Sequence, residues 1–313
     1  MIGIREIASY LPNKYLSNFE RVNEFQINDD FIENKLGIEK VLQKELDEDT
    51  SDMCIKAYHN LQEKINVNLD EIDCIIVCTQ NPDGNGIPHT SAIVHGKLGA
   101  STRCASFDIS LGCSGYVYGI SIIKSFMESN GLRNGLLFTC DPYSKVINPS
   151  DKNTALLFGD IATVTLLNDC DGKELWFPRK FTFGTSGADG SVLNNNNGYL
   201  EMNGRAVFNF SAKAVPNQVK ELLSSIQCEP EEIDLFLFHQ GSKYIVDTIK
   251  KRLNLSDEKA PINLKNQGNT VSSSIPLLLE NYIKKDNYEK IILSGFGVGL
   301  SWATCIIERK NNN

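Results

Sequence analysis

The feature that most narrows what this chain can fold into is an order of elements that occurs twice. Glu71-Ile72-Asp73 opens an apolar run that ends at Thr79-Gln80, and Glu232-Ile233-Asp234 opens another that ends at Phe238-His239-Gln240. After the first run come LGCSG (111–115), the helical stretch YVYGISIIKSFMESN (116–130) and the strand-like GLLFTCD (135–141). After the second come the helical SKYIVDTIKKRLNL (242–255), then QGNTVSSSIP (267–276), a helix over LLLENYIKK (277–285) and the strand KIILSGF (290–296). Each pass closes on a Phe-Gly strand pair, FGDIATVTLL (158–167) and FGVGLSWATCII (296–307). Repeated order with little identity is the mark of a duplicated unit. It divides the 313 residues into an N-terminal half, 1–170, and a C-terminal half, 171–313.

Alternating apolar strands and amphipathic helices imply an α/β fold with largely parallel sheets. No linker or low-complexity stretch interrupts the chain. A chain of this length buries roughly three quarters of its unfolded surface, so it needs no disulfide or metal staple. The nine cysteines fit that expectation: Cys74, Cys78 and Cys305 sit inside apolar runs, where a free thiol behaves as a small hydrophobe. The odd count suits a reducing compartment. With no CxxC pair and four histidines, no metal site is expected. The net charge of −8 argues against a nucleic-acid partner. No run approaches the ~20 apolar residues of a membrane span. The expectation is a cytoplasmic protein with neither nucleic acid nor membrane as partner.

The duplication places Cys113 and Asn269 at equivalent strand-to-helix junctions, with His239 at the end of a neighbouring strand. The carboxyl ends of parallel strands are where ligands collect. Gly112 permits a tight turn before Cys113, and a helix follows from about Ser114. At a helix N-terminus a thiol is expected to be driven toward thiolate, and the same amides suit a developing oxyanion. Taken singly, each residue also has a plain reading: a buried inert cysteine, a core histidine bonded to a carbonyl, a turn asparagine. Taken together they suit acyl chemistry. A thiolate accepts an acyl group from a thioester, while Asn NH2 and His N–H donate to a carbonyl as a malonyl group loses CO2. That scheme requires no metal or redox cofactor. A serine hydrolase does not fit, because GCSGY lacks the GxSxG spacing.

GCSGYVYG, LFHQGS, LKNQGNTVSSSIP, ALLFGDIA and GFGVGLSW resemble the motifs of β-ketoacyl-acyl-carrier-protein synthase III enzymes, from MIGIREIASYLP to the last strand. The resemblance implies the thiolase fold: two βαβαβαββ halves in a five-layered αβαβα sandwich, the first carrying the nucleophile and the second His and Asn. It implies an acyltransferase of fatty acid biosynthesis in which Cys113 takes an acyl group from an acyl-CoA or acyl-carrier thioester. His239 and Asn269 then assist decarboxylative condensation with a malonyl thioester, and the N–H groups of Cys113 and Val298 form the oxyanion hole. No cofactor beyond the substrates, an acyl carrier protein as partner and a homodimer are likewise implied. At positions where relatives hold CoA, this chain has Phe31, Lys35, Lys152 and Ser242. Lysine does not reproduce the forked contacts of arginine, so the primer is expected on a carrier protein or on CoA in another pose. Ile87 matches the residue that closes the acyl pocket across the dimer. Lys243, Lys251 and Arg252 are candidates for the carrier-docking patch, with Tyr244 where relatives have an arginine; on charge pattern alone a solvated helix face is the favoured reading. Two alternatives stay open: acyl transfer to an oxygen or nitrogen acceptor without condensation, and a non-catalytic dimer partner of an active homologue.

Overall fold

The computed structural model describes residues 1–169, 175–195 and 197–310. The boundary expected between residues 170 and 171 lies outside the described residues. The first half begins with β1 (Ile2–Tyr10), β2 (Tyr15–Ser17), the single turn α1 (Val22–Phe25) and β3 (Lys40–Leu42). There follow α2 (Thr50–Lys64), β4 (Cys74–Cys78), α3 (Thr90–Leu98) and β5 (Ala105–Ile109). It ends with α4 (Gly115–Asn130), β6 (Asn134–Cys140), the short α5 (Lys152–Ala155) and β7 (Ala162–Asp169). The second half opens with β8 (Leu175–Thr185), then two-residue strands β9 (Leu193–Asn194) and β10 (Glu201–Met202), and α6 (Gly204–Ser225). It closes with β11 (Leu235–Phe238), α7 (Lys243–Leu253), α8 (Ser274–Glu280), β12 (Lys290–Gly297) and β13 (Ser301–Lys310).

Nine strands join in the order β11-β12-β13-β8-β1-β7-β6-β4-β5. Counted from its outer edge inward, each half repeats one pattern: β4, β6, β7 and β1 correspond to β11, β12, β13 and β8. Among the described residues, the halves of the main sheet meet at the antiparallel pairing of Ile4 with Trp176. The sheet is mixed. Only β4–β5, β4–β6 and β11–β12 are parallel, whereas β1–β7, β6–β7, β12–β13 and β13–β8 are antiparallel. The expectation of largely parallel sheets is therefore corrected. A buried apolar run reads alike in either direction, and the Phe-Gly pairs that close each half return against their neighbours. In the second half, the counterpart of β5 is not a ladder strand. Residues 260–264 run beside β11, tied by one backbone bond nearby, Phe236 N–H to Lys259 O at 2.7 Å.

Five layers follow from what each face buries. The central core packs α4 (Tyr116, Val117, Ile120, Ile123) and α8 (Ile275, Leu278, Leu279) between strands of both halves. One outer core sets α2 and α3 against the far side of the first half's strands, and the other sets α6 and α7 against the second half's. This is why CIIVC of β4 is buried throughout: helices cover both faces. Each such Ile or Val contributes roughly 1.5–3 kcal/mol by burial. The helix expected over 277–285 instead spans Ser274–Glu280, its start moved forward by a single-turn helix at Val271–Ser273.

The halves are also pinned to each other near the cavity described next. Asn269 N–H donates to Leu157 O (2.8 Å), and Gly159 N–H donates to Asn269 O (2.9 Å). A Cβ on Gly159 would lie 1.8 Å from the carbonyl oxygen of Gln267, so the backbones approach as only glycine allows. Gly159→Ala is expected to cost about 3 kcal/mol or more, read as a lower midpoint in urea with an unchanged slope. A midpoint equal to wild type would contradict this account of the junction.

Candidate active site

The loops at the carboxyl ends of β5, β6 and β11, the turn before α8 and the end of β12 converge on one cavity of about 760 Å3. Its lining includes Cys113, His239 and Asn269, at 5%, 2% and 4% exposure; the three residues singled out from sequence share its buried end. Phe31, Lys35, Lys152, Arg205, Ser242 and Tyr244 line it too. Lys35, Lys152, Arg205 and Tyr244 are solvent-exposed and mark its mouth.

Cys113 stands between β5 and α4, two residues before the helix proper, with Ser114 as cap. The turn is pressed against β12. A Cβ on Gly297 would lie 2.7 Å from both Cβ and Sγ of Cys113, and one on Gly112 would lie 2.6 Å from Val298 Cγ1. Gly112 is thus required for space rather than for the tight turn expected, since its φ is not positive. The thiol is not driven toward thiolate. Burial pushes it up to about 12, the charge of Asp141 adds to this, and the backbone N–H groups of Val298 and of Cys113 itself pull the other way. That runs against the expectation from the helix N-terminus: burial and the Asp141 charge outweigh the two backbone N–H groups.

His239 continues β11, its N–H donating to Ser294 O (2.8 Å). Burial pushes its imidazole down to about 3, weakly opposed by the Val271 backbone, so the ring is neutral. Its Nδ1 lies 2.7 Å from Ser274 Oγ, which is also 3.0 Å from Val271 O. The hydroxyl has one proton for two acceptors. Given to Nδ1, it leaves the ring's hydrogen on Nε2; given to Val271, it leaves Nε2 a bare acceptor. Asn269 Oδ1 accepts from Val271 N–H (3.0 Å), orienting the amide; Val271 itself holds φ +50°.

Sequence reasoning missed the supports. Asp141, at 1% exposure, accepts from Gln80 N–H (2.7 Å) and from Ser272 Oγ (2.5 Å). Tyr143 donates to Gln80 Oε1 (3.1 Å). Their partners lie up to 131 positions away, and the one available signal was the polar residue ending each apolar run.

The binding candidates divide. The ammonium groups of Lys35 and Lys152 sit 5.3 and 5.9 Å from the Phe31 ring. Ser242 caps α7, its hydroxyl accepting from Ile245 N–H (3.3 Å). Lys243 pairs with Asp247 (2.5 Å), while Lys251 and Arg252 are exposed. Ile87, 94% exposed, is not among the residues lining the cavity. Among the described residues no helix is long and apolar enough to cross a membrane.

Two family models match, "3-Oxoacyl-[acyl-carrier-protein (ACP)] synthase III" over residues 107–187 and its C-terminal counterpart over 223–309. The chain is 34% identical over 320 residues to the β-ketoacyl-[acyl-carrier-protein] synthase III of Streptococcus sanguinis, covering 97% of this chain and 98% of that protein. It is similar to a crystal structure of 3-oxoacyl-(acyl-carrier-protein) synthase III, with a TM-score of 0.91 at 32% identity, covering 98% and 99% of the two chains. It is also similar to the priming β-ketosynthase of the R1128 polyketide biosynthetic pathway, with a TM-score of 0.88 at 25% identity, covering 98% and 96%.

The neutral imidazole carries a pH signature. The unfolded histidine, at 6.5, takes up its proton before the folded one. Stability from His239 is therefore present above pH 6.5 and lost as the pH falls toward 3. By pH 5 the loss is about 2 kcal/mol. Urea unfolding of wild type and of His239→Asn at pH 7 and pH 5 should show the wild type losing that much more; equal losses would contradict a buried neutral ring.

Proposed function

The chain belongs to the β-ketoacyl-[acyl-carrier-protein] synthase III family, and from that premise we propose an acyl-transferring condensing enzyme whose reaction runs on Cys113, His239 and Asn269. The observation that carries the reading is their shared cavity, with the nucleophile supplied by one half and the two carbonyl-facing groups by the other.

At neutral pH a thiol held near 12 is protonated, so attack on a thioester requires its proton to leave as the acyl donor arrives. The neutral His239 in the same cavity, with Nε2 bare, is the acceptor at hand. Sγ bonds to the acyl carbonyl carbon, charge gathers on the carbonyl oxygen, and collapse expels the donor's thiol with that proton. The backbone N–H groups of Cys113 and Val298, already directed at the sulfur, are the proposed oxyanion donors; an N–H serves regardless of the valine side chain. A malonyl thioester then enters. Its C–CO2 bond breaks, CO2 leaves, and the electron pair becomes an enolate at the thioester carbonyl. Between the two half-reactions the neutral ring exchanges its hydrogen through solvent in the open cavity, gaining one at Nε2 and losing one at Nδ1, which then accepts from Ser274 Oγ. Asn269 NH2 and His239 Nε2–H donate to the enolate oxygen. The enolate carbon attacks the acyl-cysteine, and the thiol departs and is reprotonated. Every step uses side chains and backbone of this chain.

Substrate delivery follows from the mouth. Phe31, Lys35 and Lys152 suit a phosphate-bearing thioester carrier, CoA or the prosthetic arm of an acyl carrier protein, with Lys243, Lys251 and Arg252 on α7 as the carrier's docking face. Exposed Ile87 suits a homodimer in which the partner's Ile87 closes the acyl end of the cavity. Free, mostly buried thiols suit a cytoplasmic setting. Acyl transfer to an oxygen or nitrogen acceptor is the second reading; the presence of Asn269 beside His239, an amide that only the decarboxylation step uses, favours condensation.

Intact mass after incubation with a panel of acyl-CoA and acyl-carrier thioesters tests this reading. One acyl adduct is expected on wild type and none on Cys113→Ala. An adduct that persists in Cys113→Ala would overturn the nucleophile. Asn269→Ala is expected to acylate while losing malonyl decarboxylation by about 100-fold or more, and His239→Ala to slow acylation as well as lose decarboxylation; decarboxylation at the wild-type rate would overturn their role.

A further inference from the structure

We propose that Asp141 is a positioning residue that holds the Cys113 turn in register with the Asn269 loop. This rests on the reading of Cys113 as nucleophile. Asp141 ends β6, in the first half, beneath both segments. Its carboxylate accepts from Gln80 N–H (2.7 Å) and more distantly from Thr79 Oγ1 (3.5 Å), both after β4 in its own half. From the other half it accepts from Ser272 Oγ (2.5 Å), three residues past Asn269. The clamp reaches the nucleophile through Gln80, whose Oε1 would lie 2.7 Å from a Cβ on Gly112 and takes the Tyr143 hydroxyl. One buried carboxylate thus ties the ends of β4 and β6 and the turn before α8 to the cysteine's turn across the interface of the halves.

Its charge is a second effect of the same placement. Asp141, raised by burial to about 6, is ionised at neutral pH and opposes thiolate at Cys113. Of the other described groups nearby, only the Asp108 carboxylate carries charge, and it acts on Cys78 whereas Asp141 acts on Cys113. Cys78 at the end of β4 and Tyr143 after β6 are held neutral by burial, and His239 is neutral across the cavity. Asp108 of β5 faces Cys78 and is occupied by the N–H groups of Thr90 and Ser91 (2.7 and 2.8 Å). At rest the nucleophile is thus a protected thiol, shielded from stray electrophiles until substrate arrives.

Two variants separate clamp from charge. Asp141→Asn keeps the shape and removes the charge; Ser272→Ala keeps the carboxylate, still bonded to Gln80 N–H, and removes the cross-half tether. The readouts are the rate of iodoacetamide alkylation of Cys113 against pH, by peptide mass, and kcat and KM for condensation. Asp141→Asn is expected to move the alkylation profile about one pH unit lower, roughly tenfold faster at pH 8, and to lower kcat more than KM rises. Ser272→Ala is expected to lower kcat with the alkylation profile unmoved. Folded Asp141→Asn with a wild-type profile and kcat would overturn the proposal, as would Ser272→Ala with wild-type kcat should Asp141→Asn not fold. Alkylation reads the thiol without turnover. A protein that shows the shift yet accepts no acyl group would sink the proposed function and leave the thiol's dependence on Asp141 standing.

Discussion

The backbone junction at Asn269 governs the rest of the site. Asn269 is gripped on both sides by the Leu157–Gly159 loop of the other half, through 2.8 and 2.9 Å bonds. At Gly159 the chains approach too closely for any side chain. The halves already share apolar cores and one pairing in the main sheet; these bonds fix their register at the site itself. They set the amide of the second half at a fixed height over the thiol of the first. Precision of this kind is what positions reacting groups, and here it comes from main chain rather than from flexible side chains.

Burial then decides the resting chemistry. The cavity floor is dry enough to hold Cys113 as a thiol and His239 as a neutral ring, opposite to what a helix N-terminus alone would give the cysteine. A neutral pair costs less to bury than an ion pair, and the low dielectric that suppresses their ionisation strengthens every donor aimed at a developing oxyanion. Reactivity then depends on substrate arriving. Ser274, with one proton between His239 Nδ1 and Val271 O, accommodates either neutral tautomer, so that the ring, exchanging its hydrogen with solvent, can present an acceptor in the first half-reaction and a donor in the second.

Much of this was legible in the residues. The buried runs became strands, and the repeated order put Cys113, His239 and Asn269 into one cavity because equivalent junctions of a duplicated unit face one another. Family membership fits the same motifs. Strand direction was not legible, since the apolar pattern of β7 or β13 has no polarity. The start of α8 was hidden by a serine-rich turn that reads as loop. The state of Cys113 depended on Asp141, Gly297 and Val298, which no local pattern connects to it. Asp141 and Ser274 escaped notice because a buried polar residue declares its role only through partners the fold brings from elsewhere.

The central claim, that the two halves cooperate in forming a carbon–carbon bond, is tested most directly by a single turnover of pre-acylated protein with a malonyl thioester, counting CO2 released and β-ketoacyl thioester formed. One of each per acyl group consumed is the predicted result. Acyl groups lost to water or to an oxygen or nitrogen acceptor, with no CO2 released, would contradict it.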